Sequence, residues 1–390
     1  MGVRKGTPTA FTAVGPGKSA VCQSVRHVVS RHRLTDSLAD SNSLYHAPTM
    51  KTLLYPAWDK IEFSDQPKPS PAANEVLLRV AACGLCGSEL EAFKNHSPRR
   101  TPPLILGHEF CGFIDKIGEG VRNGALRVGQ KVVSNSLVPC NDCVRCRRGD
   151  THLCGRRQIF GMNRPGAFAE FVNVPADCLI PWPDNLPAEA ACLAEPLANG
   201  VHVAEMVAPL KPKTVLVFGA GPIGLMCQGA IRAMLGAEVI VTDLNEDRLA
   251  VAREHGAKET ISGKSRGVVK VVQEMTQGEG ADVCVDAVGA AVTKQQSVAA
   301  SRPGGAAVWI GLHENPISLN SFEVTLPERQ VLGSYASTMQ QMRQALDLMA
   351  SGQVETASWA ERFPIERGVE AFERMLKPNG RDIKAVIVPG

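Results

Sequence analysis

At 390 residues the chain is long for one core, and two domains are the natural expectation. A composition of 44% hydrophobic and 21% charged residues excludes a disordered or fibrous chain. The net charge of +3 is unevenly spread: residues 1–49 hold six Lys/Arg and two Asp, leaving 36 basic against 37 acidic residues elsewhere, so no global basic field gathers nucleic acid.

Residues 1–49 show no sustained period and carry Arg, Ser and His with little acid. A transit peptide, a solvated tail, or a disordered or untranslated stretch before a natural start at Met50 all fit them, and the last is preferred. No secretory h-region precedes the body of the chain, so the twelve cysteines are read as cytoplasmic metal-binding or catalytic thiols. Between Glu75 and Pro187, short apolar runs such as VLLRVAACG, GFIDKIGEG and QKVVSNSLV alternate with turn residues, which predicts a mostly β domain. After Lys213 the rhythm becomes strand–helix: TVLVFGAG, PIGLMCQGAIRAMLG, AEVIVTD and NEDRLAVAREHG, then the strands ADVCVDAVG and GGAAVWIGL. That order predicts a doubly wound parallel sheet, making the fold α/β. Two further helices, MQQMRQALDLMASG and GVEAFERMLK, and a last strand KAVIVP complete the chain.

VFGAGPIG sets Gly219, Gly221 and Gly224 as G-x-G-x-x-G between a strand and a helix, with Pro222 and Ile223 inside the motif. The first glycine allows the turn, the second lets a pyrophosphate approach the backbone, and the third lets helix and strand pack closely. Asp243 ends the next strand, where a carboxylate accepts from adenosine ribose hydroxyls and repels a 2′-phosphate. Arg248 is the one nearby cation that could serve such a phosphate, but Glu246 and Asp247 accompany it, so NAD is preferred to NADP. The same motif accounts for the uncharged run Thr214 to Ile231, which approaches membrane-span length but is broken by four glycines and a proline.

Cys140, Cys143, Cys146 and Cys154 stand at C-x2-C-x2-C-x7-C, which fits a closed tetrahedral zinc site that staples a loop. A second, dispersed set is Cys86 in CGLCGSEL, His108 and Glu109 in LGHEFCG, and Glu195 in LAEPLANG. Thiolate, imidazole and a third ligand around an open position are what a catalytic zinc requires.

These motifs, in this order, resemble the zinc-containing medium-chain alcohol dehydrogenases from Met50 to Gly390. The resemblance implies a GroES-like, mostly β catalytic domain over 50–197 and 338–390, with a structural zinc lobe at 140–154. An NAD-binding Rossmann domain over 198–337 would interrupt it. Glutamate at 195 and the GHEFCG context are similar to the polyol branch, that of sorbitol and galactitol-1-phosphate dehydrogenases, and also to threonine dehydrogenase. The implied activity is hydride transfer from a secondary alcohol of a polyol or polyol phosphate to NAD, with one catalytic and one structural zinc per chain. A homo-oligomer, dimer or tetramer, is implied, with neither nucleic acid nor membrane as a partner.

Cys86, His108 and Glu195 are expected to hold the catalytic metal, with Glu109 as substitute or exchanging ligand. Ser88 matches the position that accepts the alcohol proton. Relatives place a histidine three residues after it; here Glu91 either takes the proton or leaves it to water, and the second is preferred. Arg99 and Arg100 lie between the ligands and either meet a substrate phosphate or sit in a solvated loop, again with the second preferred.

Overall fold

The computed structural model describes residues 48–390, apart from 123, 265 and 266. The expectations for residues 1–47 lie outside the described residues. Strand Thr49–Ala57 pairs antiparallel with Lys60–Pro67 and touches Leu104–Ile105 on its other edge. The larger, seven-stranded sheet is built from both ends of the chain. Strand Glu75–Gly84 lies at its middle, flanked by Glu109–Ile117 and by the late strand Lys384–Val388, with Val386 opposite Gly84. Its inward residues, among them Leu78, Val80, Phe110 and Ile387, join Phe160 and Phe372 in one buried core.

Six parallel strands form the other half in the order Glu259–Ser262, Glu238–Asp243, Thr214–Phe218, Ala281–Asp286, Ser301–Trp309, Gln330–Gly333. The centres of the four inner strands are buried apolar stretches, VIV, VLVF, VCV and AAV, as expected where helices cover both faces of a parallel sheet. The strand order reverses between Thr214–Phe218 and Ala281–Asp286, where such sheets open a ligand crevice at the strands' carboxyl ends. Helix Pro222–Leu235 starts there on extended Gly221, with proline at its first position, and ends on left-handed Gly236 (φ 66°).

Helix Ala194–Val207 joins the two halves. It packs on helix Pro222–Leu235, on Met339–Ala350 and on strand Glu109–Ile117. A Cβ on its Gly200 would stand 2.5 Å from the Met226 carbonyl, so the glycine sets how closely the first two helices approach. No described helix is long and apolar enough to cross a membrane, and Thr214–Ile231 is a strand, the glycine turn and most of a helix.

Candidate active site

Gly219 is left-handed (φ 96°), and a Cβ on Gly224 would meet the Gly219 carbonyl at 1.8 Å, so a side chain is forbidden at both positions. Asp243 braces the turn: its carboxylate accepts from the Ala220 N–H at 2.7 Å and from the Asn245 N–H at 2.8 Å. Asn245 then caps the next helix by accepting from Asp247 and Arg248 backbone N–H. Arg248 donates to the Asp382 carbonyl at 3.0 Å, and its Nη1 lies 4.0 Å from where a Gly221 Cβ would be. All seven residues expected at the dinucleotide therefore flank one turn, with Pro222 and Ile223 in the first turn of the helix.

Cys86 stands two residues beyond the central strand Glu75–Gly84 and caps helix Gly87–Lys94. Its N–H donates to Glu89 at 3.0 Å. Glu89 is fully buried; its other oxygen accepts from the Gly107 N–H at 2.7 Å and pairs with His108 Nδ1 at 3.0 Å. Burial alone would raise the Glu89 pKa, but the His108 imidazole, Arg100 and the Cys86 N–H hold it below the usual carboxylate range. With Nδ1 committed, His108 is left with Nε2 as its metal-binding nitrogen. Glu89 was not singled out in the sequence, although an acid three residues after the helix cap is the signal that marks it. Glu89→Gln is expected to lower zinc affinity at this site roughly 10–100-fold, measured by chelator competition. An unchanged affinity would make Glu89 a packing residue only.

Ligand atoms of Cys86, His108 and Glu109 all lie within 4.8 Å of one another. Thiolate, imidazole and carboxylate at that spacing suit one zinc with a position to spare. Glu195 is buried in the first turn of its helix but lies outside that group, hydrogen-bonded to Ser136, its pKa raised by burial and by the neighbouring Glu109 charge despite His108. Among the described residues Glu109, and not Glu195, thus stands within reach of Cys86 and His108. Glu109 is also ion-paired to Lys384, both side chains almost wholly buried, and a Cβ on Gly84 would collide with the same carboxylate oxygen. Burial alone would lower the Lys384 pKa, but Glu109 and the Cys86 sulfur hold it above the ordinary value.

Ser88 donates to the Cys86 sulfur at 3.3 Å. Glu91 is half-buried and accepts from Asn95 at 3.1 Å along its own helix. Arg99 is exposed, whereas Arg100 is buried, which overturns the solvated-loop expectation for the second of the pair.

In the cysteine lobe the sulfurs form a cage: Cys140–Cys154 3.4 Å, Cys143–Cys146 3.5 Å, Cys140–Cys146 3.8 Å and Cys143–Cys154 3.9 Å. Four ligands about 2.3 Å from a tetrahedral zinc would be about 3.8 Å apart, so the cage fits the ion. The Cys146 backbone N–H leads in pulling the Cys143 thiol down to about 6, while burial pushes Cys146 up to about 12. Zinc uptake must then displace protons and should tighten as pH rises. Cys154→Ser is expected to halve the zinc content and lower the melting temperature while NADH still binds. Full zinc content by metal analysis would dismiss the cage.

A pyrophosphate turn and an anionic metal cluster joined by one helix have a common use, hydride exchange between a dinucleotide and a hydroxyl-bearing carbon. The class defined is therefore a metal-assisted dinucleotide dehydrogenase. Residues 72–184 match the alcohol dehydrogenase GroES-like domain, and residues 222–351 match the zinc-binding dehydrogenase domain. The L-threonine 3-dehydrogenase of Bacillus subtilis is 31% identical over 84% of this chain and 94% of its own. The D-arabitol-phosphate dehydrogenase of Enterococcus avium is 31% identical over 85% and 95%. A zinc-binding dehydrogenase from Sinorhizobium meliloti, solved with NADP bound, superposes with a TM-score of 0.81 at 28% identity, over 88% of this chain and all of that one. The chain belongs to the zinc-binding alcohol dehydrogenase family, as an oxidoreductase whose cofactors are zinc and a nicotinamide dinucleotide.

Proposed function

We propose that the protein oxidises a secondary alcohol of a polyol or polyol phosphate to a ketone, reducing NAD. The observation that carries this reading is the gathering of Cys86, His108 and Glu109 beside Ser88. Cys86 and Glu109 bring two negative charges and His108 none, so the three would hold zinc in a nearly neutral site. Zinc held there would polarise a substrate hydroxyl and lower its pKa, and the nicotinamide would take the hydride. Ser88 receives the hydroxyl proton. Glu89 keeps His108 in the tautomer that leaves Nε2 free. Lys384 balances the charge of Glu109, and Glu195 stands behind the cluster on the connecting helix. Asp243, at the ribose position, supports NAD over NADP.

L-threonine oxidation is the second reading, supported by an equal identity to the threonine and arabitol-phosphate enzymes. NADH formation on galactitol 1-phosphate, sorbitol, xylitol and L-threonine, at equal concentrations and with zinc-replete protein, separates the two. Threonine turnover above the others would discard the polyol reading, and silence on all four would discard both. Arg100 is taken up by the fold, so a phosphate preference would fall to exposed Arg99. A homo-oligomer is also proposed. Strand Gln330–Gly333 ends its sheet, and Leu312, Phe322 and Leu326 are 67%, 68% and 78% exposed in the same half of the molecule. Light scattering that returns the monomer mass would refute it.

A further inference from the structure

We propose that Arg100 is a positioning residue for Ser88, fixing its hydroxyl so that one lone pair faces the incoming substrate; the inference rests on the dehydrogenase reading above. Arg100 is 4% exposed, and it makes no ion pair among the described residues. All three faces of its guanidinium are used. Nε donates to the Gly161 carbonyl at 3.1 Å, Nη1 to the Ser88 carbonyl at 3.1 Å, and Nη2 to Ser88 Oγ at 3.2 Å. Buried Glu89 is an electrostatic neighbour of that cation, but no carboxylate bonds it directly, and neutral donors could have satisfied the two carbonyls. What a neutral group could not supply is a permanent positive charge beside Oγ.

The inventory of one hydroxyl shows what that charge does. Ser88 has one O–H and two lone pairs. The O–H is directed to the Cys86 sulfur at 3.3 Å, and Nη2–H occupies one lone pair. A single acceptor site is left, and only a hydrogen-bond donor such as the substrate hydroxyl can fill it. In the reaction the substrate O–H bond breaks as a new O–H bond forms at Oγ, while the O–H that Ser88 carried turns off the Cys86 sulfur and gives its proton to solvent water. Arg100 cannot accept a proton itself, but its charge favours that departure, so the two transfers run in step. The two parallel N–H groups on the oxygen atoms of one residue also fix the side-chain rotamer relative to the backbone. Lysine has no such fork.

The test compares Arg100→Met, Arg100→Lys, Ser88→Ala and the double variant R100M/S88A. Arg100→Met should lower kcat about 10- to 100-fold, part of the ordinary acid–base contribution, with KM little changed. Arg100→Lys should fall between it and the wild type. In the Ser88→Ala background the same Arg100→Met change should have no further effect, because Arg100 acts through Ser88. A second readout needs no substrate. With cobalt(II) exchanged into the Cys86 site and zinc kept in the cysteine lobe, the sulfur-to-cobalt charge-transfer band reports the Ser88 bond to that sulfur. Arg100→Met should move the band as Ser88→Ala does, and the double variant should move it no more. Equal losses of kcat in both backgrounds, or a band left at its wild-type position, would overturn the proposal. If the wild type oxidises none of the four substrates, the polyol and threonine readings fail by themselves, and the cobalt comparison decides Arg100 alone.

Discussion

Cys86→Ala is expected to lower turnover by at least about a thousandfold, because a metal that polarises the substrate supplies several kcal/mol of the barrier. NADH should bind to the variant as it does to the wild type. The reason lies in how the two sites are built. The glycine turn is held by Asp243 and by the packing of helix Pro222–Leu235, none of which involves Cys86. Cys86 in turn is fixed by its own backbone bond to Glu89, which survives loss of the sulfur. Alanine at 86 therefore removes a proposed ligand without dismantling either scaffold. Stopped turnover with intact NADH binding, read by fluorescence quenching, is the signature of a lost metal centre. Turnover that persists would take the cluster out of the chemistry, and loss of both would mark a folding defect.

What was legible in the sequence was whatever local spacing encodes. The glycine turn with Asp243 and the four-cysteine lobe are short segments whose spacing carries their geometry, and the structure assembles both. Order along the chain also showed the parallel sheet, though not its edge strands Glu259–Ser262 and Gln330–Gly333 or the helices Val268–Met275 and Ala291–Ala300, whose mixed sequences announce no clear boundary. Groups brought together from distant segments were not legible. Glu109 and Glu195 each looked able to complete the metal site, and nothing local in the sequence says that strand pairing sets Glu109 opposite Gly84, beside Cys86 and His108. Arg100 sits in SPRRTPP, which reads as a polar surface loop, yet the backbone of Gly161 and Ser88 draws its guanidinium inside. Lys384 opens an apolar strand near the end of the chain, and nothing in KAVIV says that its ammonium meets Glu109.

That pair gives the second large prediction. Lys384 and Glu109 are 2% and 1% exposed, and removing one member of so buried a pair leaves the other charge without compensation. Lys384→Met should therefore destabilise the metal-free protein by about 3–5 kcal/mol, seen as a lower urea midpoint at constant slope. Glu109→Gln combined with Lys384→Met should recover most of the loss, since both charges are then gone. Zinc makes the comparison decisive. If Glu109 is the third ligand, the metal supplies the positive charge that Lys384 gave up, so zinc should stabilise Lys384→Met more than it stabilises the wild type. The ammonium and the metal would compete for one carboxylate, and zinc should leave the variant more slowly under a chelator. If Glu195 is the ligand instead, zinc does nothing for the orphaned Glu109, and the deficit should persist at saturating metal. One pair of denaturation curves, with and without zinc, thus separates the two carboxylates that the sequence left in competition.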